Sequence, residues 1–356
     1  MHFVPAEPSV EYARYIGRKV AFIVGLLLAS LVCLVLSLGL GAAELPVSAV
    51  LRALFGQAES VRAHLIIWNI RLPQALAALA AGSGLALCGA AMQSVLRNPL
   101  GSPFTLGISH AAAFGAAVAV LFLGDGRMTA SSGLAALLTQ PMLIVAAAFA
   151  ASLAAALVIL ALARTRGATP EVLVLSGVAL GALFTAGTMV LQYLADDTQL
   201  AAMVFWTFGD TARANWTHVG ILAVVSLGAA AYFLCNAWNY NAVDAGDETA
   251  RGLGVPVDRV RMVGMLVATL VTAVIISFLG IIGFVGLVTP HLARRVVGAD
   301  HRYLLPATAA AGALLLLAAD TAARLALAPK VLPVSVLTAF LGAPIFFLLI
   351  LRGRRA

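Results

Sequence analysis

Along this chain apolar residues run in blocks of about twenty, and polar residues collect in the gaps between them. Ten blocks stand out, near 20–41, 73–96, 104–123, 141–163, 171–194, 217–236, 262–280, 282–297, 303–325 and 335–351. A helix needs about 20 apolar residues to cross roughly 30 Å of hydrocarbon, so the pattern predicts an all-α integral membrane protein with ten transmembrane helices, in one domain over residues 1–356. The eighth block is short, and the second, eighth and tenth carry Gly or Pro, so their ends are the least sharply drawn.

Composition agrees with lipid as the solvent. The chain is 62% hydrophobic and 10% charged, with mean hydropathy +1.02, more apolar residue than one soluble core of this length can bury. The first block follows Arg14, Arg18 and Lys19 and runs about 22 residues, too long for a secretory h-region, and is read as a span. Net charge is +7, but the basic residues sit at span ends, which points to topology and not to nucleic acid. With ten spans and a cytoplasmic N-terminus, the outside receives seven of the 22 Lys and Arg (Arg52, Arg62, Arg71, Arg127, Arg213, Arg324 and Lys330) and the cytoplasm the other fifteen. That excess favours both termini inside.

Catalytic signatures are missing. No GxxxxGK[ST] occurs, and the two lysines, Lys19 and Lys330, follow no phosphate loop. HExxH, GxSxG and Cys/His metal spacings are absent as well. His110, His291, His301, Asp300 and Asp320 are scattered among span ends with no acid/base spacing. The chain is expected to be no enzyme, to hold no cofactor or metal, and to hydrolyse no ATP by itself. Cys33, Cys88 and Cys235 lie in apolar blocks without pairing spacing and read as small buried hydrophobes.

Polar and helix-breaking residues inside the apolar blocks carry the remaining information, because hydrocarbon tolerates them only where protein or water covers them. In Arg71–Gly107, Gly82, Gly84, Ala86 and Gly89 recur at three-to-four spacing, which predicts one face for close helix packing; RNPLGSPF then makes a tight turn through Asn98, Pro99 and Pro103. In GFVGLVTPHLARR, Pro290 frees a carbonyl near Gly286, and His291, Arg294 and Arg295 end the same helix, which marks an inner gate or structural region more than a ligand site. Asp320 and Arg324, at i,i+4, can pair on one face. The longest polar gap, 239–261, contains a short helix from Asp247 to Gly252, with Asp244, Asp247 and Glu248 at its positive end and Gly252 and Gly254 stopping it. On general grounds that helix is a solvated connector. Trp206 and Trp216 read as interface anchors, while Asp210 and Arg213 have no role that the sequence assigns.

Taken in order, RLPxxLAALxxGxxLAxxGxxxQxxxRNPLxxPxxLG, GFVGLVTPHLARRxxGxDHRxLLPxxAxxGA and LPVSVLTAFLGAPIFFLL resemble the permease family of type II ATP-binding-cassette importers for iron-siderophores, haem and cobalamin, over about Arg71 to Arg352. The resemblance implies a homodimer in a bacterial inner membrane, with one path along the two-fold axis lined mainly by the fifth span. It also implies two cytoplasmic ATPase subunits that bind Mg-ATP and a substrate-binding protein outside. Similar permeases carry GExxARxLG as a coupling helix, matched here by Asp247, Glu248, Thr249, Ala250, Arg251, Leu253 and Gly254. Related arginines that face acidic residues of the binding protein match Arg71 and Arg324. Gln74 stands where several relatives carry a further arginine, which implies an outer contact that is either weaker or redistributed onto Arg62. An inverted repeat, roughly 71–194 against 262–351, is expected. The rival class, an ion-coupled secondary transporter, needs mid-span carboxylates, and every Asp and Glu lies near a span end. Which of these cargoes is carried, or whether it is an oxyanion, the sequence leaves open.

Overall fold

The computed structural model describes residues 10–41, 45–57, 60–123, 140–166, 169–327 and 330–352; Arg127, Arg354 and Arg355 of the charge count lie outside them. Fifteen α-helices occur among the described residues. They begin with α1 (Val10–Gly39), α2 (Val47–Leu54), α3 (Val61–Leu65), α4 (Leu72–Val95) and α5 (Ile108–Leu123). Next come α6 (Gln140–Arg166), α7 (Pro170–Leu194), α8 (Asp197–Thr207), α9 (Trp216–Cys235) and α10 (Ala237–Asp244). The last are α11 (Asp247–Gly252), α12 (Val257–Leu279), α13 (Val285–Val297), α14 (His301–Ala326) and α15 (Val334–Arg352).

Ten of them, α1, α4 to α7, α9 and α12 to α15, fall on the ten apolar blocks. Seven described helices are long and apolar enough to cross a membrane, and α5 and α15 contain shorter apolar helices. At 13 residues, α13 is about 20 Å long and reaches only part of the way. The block at 104–123 is interrupted: Pro103–Leu106 form a 3-10 turn, closed by Thr105 Oγ1 donating to the Ser102 carbonyl at 2.6 Å, before α5 begins. Between α1 and α4 the chain makes α2, α3 and a π-helical turn, Ile66–Arg71, none of which the apolar pattern announced.

α4 is the axis of the fold. Twenty of its 24 residues are buried, and it packs against α9, α12, α13 and α14. Lipid tails are as apolar as leucine, so helices associate in a membrane by close contact of small side chains. Gly82 meets Gly312 of α14, and Gly89 meets Gly286 of α13, so closely that a Cβ on either α4 residue would overlap the facing carbonyl group. The expected single face needs correction: Gly84, two residues and so about 200° from Gly82, turns to Ser226 of α9. The Ser226 hydroxyl donates to the Ala80 carbonyl there at 2.8 Å. α5 packs with α6, α7 and α8 as a neighbouring group. α7 leaves Leu175, Val178, Leu183 and Tyr193 exposed, while Cys235, expected to be buried, is exposed at the end of α9.

Candidate functional site

At the end of the bundle where α4 finishes, α11 is held as a short rigid projection. The Asp247 carboxylate accepts from Nη1 and Nη2 of Arg261 at 2.8 Å each, and Arg261 on α12 is only 2% exposed. Arg97, in the turn after α4, stands 3.6 Å from the same carboxylate. Ala250 packs inward with no exposure. The helix stops in a paired-carbonyl cap: Val255 N–H donates to Ala250 (2.9 Å) and Gly254 N–H to Arg251 (3.0 Å). Gly254 has φ +81° there, a conformation in which any other L-residue is strained by about 1–2 kcal/mol. The other face carries Glu248, Thr249, Arg251 and Leu253, all exposed, with Leu253 71% accessible. Arg251 and Asp258 lie 3.8 Å apart, both exposed, and such a pair contributes little. The seven residues singled out in this segment therefore divide. Asp247 and Ala250 anchor, Gly254 ends the helix, and the remaining four face outward.

The turn Arg97–Gly101 beside α11 is fastened to α13. His291 Nε2 donates to the Pro99 carbonyl at 2.8 Å; because a carbonyl only accepts, Nε2 carries the proton. Gln93 Nε2 donates to the Leu287 carbonyl at 3.3 Å. Pro290 is buried in α13 and leaves the carbonyl four residues back, at Gly286, without its helical donor. Arg294 is half-buried, and its Nε and Nη2 have no hydrogen-bond partner among the described residues. Sequence reasoning missed a neighbouring cluster of Ser94, Asn241, Asp300 and His301, which forms only when α4, α10 and α14 meet. There the Arg302 guanidinium, 2.6 Å away, holds the Asp300 carboxyl well below the usual carboxylate range. On α10, burial raises the Tyr240 phenol above its ordinary value.

At the opposite end the two arginines expected to face a partner are turned inward. Arg71 is 6% exposed, and its Nη1 donates to the carbonyls of Leu38 (2.6 Å) and Gly39 (3.0 Å). Arg324 Nη2 donates to Ser37 Oγ (2.5 Å), and Arg324 Nε pairs with Asp320 Oδ2 at 3.2 Å. Both thus satisfy the last turn of α1, whose carbonyls lack helical donors and whose dipole is negative. Asp320 Oδ1 also accepts from Gln74 Nε2 (3.0 Å) and from Thr211 Oγ1. Arg62 is exposed on α3.

The segment after α8 explains two further residues. Asp210 accepts from Ala212 N–H at 2.8 Å, and Arg213 donates to the carbonyls of Phe205 (2.7 Å), Phe208 (3.1 Å) and Trp206 (3.3 Å). Arg213 thus closes the end of α8, while Asp210 caps the 3-10 turn Thr211–Arg213 that follows. Trp206 is buried at 8% exposure and is a core residue, which corrects the expectation of an interface anchor. Trp216 is exposed and donates through Nε1 to the Trp68 carbonyl at 2.9 Å. Between the 3-10 turn and α7 lies a groove of about 530 Å³, lined by Thr105, His110, Gly181, Thr185 and Met189 among others.

A bundle of apolar helices broken by glycine and proline, with a charged helix projecting at one end and a groove beside α7, is the architecture of a multi-span membrane protein. Residues 27–352 match the FecCD transport family, and the chain belongs to that family, whose members are transport permeases and not enzymes. It is 37% identical to the hemin transport system permease HmuU of Yersinia pestis over 332 residues, 92% of this chain and 96% of that one. It is 39% identical to the cobalamin import permease BtuC of Halobacterium salinarum over 301 residues, 84% of this chain and 76% of that one. A solved ABC transporter described as of metal-chelate type, in an inward-facing conformation, superposes with TM-score 0.80 at 30% identity, covering 93% of this chain and 98% of that one.

Proposed function

We propose that the chain is the permease subunit of an ATP-binding-cassette importer that moves an iron chelate, haem or cobalamin into the cell across a bacterial inner membrane. The observation that carries this reading is the construction of α11. A connector that only joined two spans would need neither a carboxylate clamped by a buried arginine nor a capped stop; a peg that must deliver displacement needs both. Its exposed face, Glu248, Thr249, Arg251 and Leu253, seats in a cytoplasmic ATPase subunit, which binds the Mg-ATP. Two copies of the chain enclose one path, with the exposed apolar face of α7 and its groove turned toward it. Both termini are cytoplasmic on the charge bias.

A substrate-binding protein docks at the far end. Arg71 and Arg324 hold the floor of that surface by fixing α1, and Arg62 supplies the exposed charge that steers the encounter. Identity to a hemin permease and to a cobalamin permease is nearly equal, so the comparisons favour neither cargo over the other. Asp320 is the buried carboxylate that an ion-coupled mechanism would use, and its pairing with Arg324, Gln74 and Thr211 leaves it poorly suited to carry a proton or sodium. The test is uptake into proteoliposomes with haem, a ferric hydroxamate and cobalamin offered in turn with their binding protein. Uptake is expected only with the partner ATPase and Mg-ATP on the cytoplasmic face. Uptake by the permease alone, driven by an ion gradient and abolished by an ionophore, would overturn the assignment.

A further inference from the structure

His301 opens α14 and has no exposed surface. Its backbone N–H and its Nδ1 each lie 2.9 Å from Asn241 Oδ1 on α10. Asn241 turns its Nδ2 to Asp300 Oδ1 at 3.0 Å, which fixes the amide orientation, so Nδ1 of His301 carries the proton. Nε2 is then the acceptor for the Ser94 hydroxyl, 3.0 Å away in the last turn of α4. Asp244 Oδ2, at the end of α10, stands 3.9 Å from the same Nε2, and the Tyr240 ring stacks on the imidazole at 5.7 Å. One ring therefore bonds α10 on one edge and α4 on the other, from the first residue of a third helix.

Each of those elements leads somewhere. α10 passes through Ala245 and Gly246 into α11, and Gly246 has φ +115°, a backbone that glycine takes without strain. α4 continues into the turn whose Arg97 faces Asp247. α14, 26 residues and so about 39 Å long, ends at the Asp320–Arg324 pair. We propose that His301 is a positioning residue for energy coupling: by bonding α10 and α4 together on α14, it makes the loop that carries α11 move with those two helices. This rests on the reading of α11 as the ATPase peg. An aliphatic side chain of the same size would pack but would release both neighbours, since packing sets no direction and hydrogen bonds do.

The test is hydrogen–deuterium exchange on the assembled permease–ATPase complex in nanodiscs, with and without Mg-ATP and vanadate, following peptides over 94–107, 247–255 and 300–306. In the native complex all three should change with nucleotide. In His301→Ala and in Asn241→Ala the change should persist in 247–255 and fall by half or more in the other two, and His301→Gln, which keeps a donor and an acceptor, should recover part of it. Should His301→Ala fail to assemble, Asn241→Ala decides alone, because it opens the same joint from a less buried position. A nucleotide-dependent change of native size in 94–107 and 300–306 in an assembled Ala variant would overturn the proposal, as would a general rise in exchange that leaves the difference intact. A native complex whose 247–255 peptide ignores nucleotide would instead refute the peg assignment, and this proposal would fall with it.

Discussion

Removing the Asp247 carboxylate should loosen α11 without disturbing the spans. Asp247→Ala deletes two charge-assisted hydrogen bonds at 2.8 Å and leaves Arg261, almost wholly buried, without its counter-ion. Stripping one partner from a buried pair costs about 3–5 kcal/mol; the Asp247 side chain retains 25% exposure, which places the change near the lower bound, about 3 kcal/mol. Arg97 cannot compensate, being of the same sign as Arg261. At 1.4 kcal/mol per decade, the opening equilibrium of α11 rises by about 100-fold. Arg251 lies exposed within that helix, so trypsin cleavage after it reports opening when reclosing outpaces cutting. The measurement is the cleavage rate after Arg251 in nanodiscs, with cleavage after the exposed Arg18 of α1 as the internal reference. About 100-fold acceleration is expected for Asp247→Ala and about tenfold for Asp247→Asn, which keeps one acceptor. A rate within threefold of native for Asp247→Ala would refute the clamp.

Gly254→Ala should raise the same cleavage about fivefold and weaken ATPase retention on an affinity column, because its Cβ meets nothing within 4 Å and backbone strain of about 1 kcal/mol is the whole effect; an unchanged rate would show that the cap does not set the stop. Gly89→Leu should abolish the monodisperse peak in size-exclusion chromatography, since the Gly286 backbone occupies the space its Cβ requires, whereas Gly220→Leu, with open space around it, should not. Arg62→Glu should slow binding-protein association in surface plasmon resonance, with the difference shrinking as salt shortens the reach of exposed charge to about 8 Å; no change would remove Arg62 from docking. Arg71→Glu should instead lower the melting temperature in detergent, because it places a carboxylate against the Leu38 and Gly39 carbonyls.

The ten helices were legible because crossing hydrocarbon demands long apolar runs, even though α13, at 13 residues, falls short of that length; Arg71, Pro290 and Arg324 were legible because charge and proline inside apolar sequence are rarely idle, and Asp247 because it heads a short helix in the longest polar gap. What each does was less legible. Arg71 and Arg324 read as outward-facing because they sit at span ends, yet the unpaired carbonyls at the end of α1 compete for the same guanidinium groups. Gln74 looked like a missing arginine, but it fills a place against Asp320 that no local pattern encodes. The π-helical turn before α4 adds a residue per turn, and a polarity pattern does not register such an insertion. The His301 cluster joins residues up to 207 positions apart and needs the folded bundle to exist at all.

The central place of α4 governs how the chain can be made. It is the second long apolar helix to leave the ribosome, while three of the four helices that enclose it, α12, α13 and α14, begin after residue 256. At roughly 5–20 residues per second, translation from the end of α4 to the end of α14 occupies on the order of ten to fifty seconds. Until α13 and α14 are made, Gln93, Ser94 and the seams at Gly82 and Gly89 lack their native neighbours, so insertion machinery or partly assembled spans must shelter them. Nascent chains arrested before α12 would carry an unsheathed axis, a ready mark for membrane quality control.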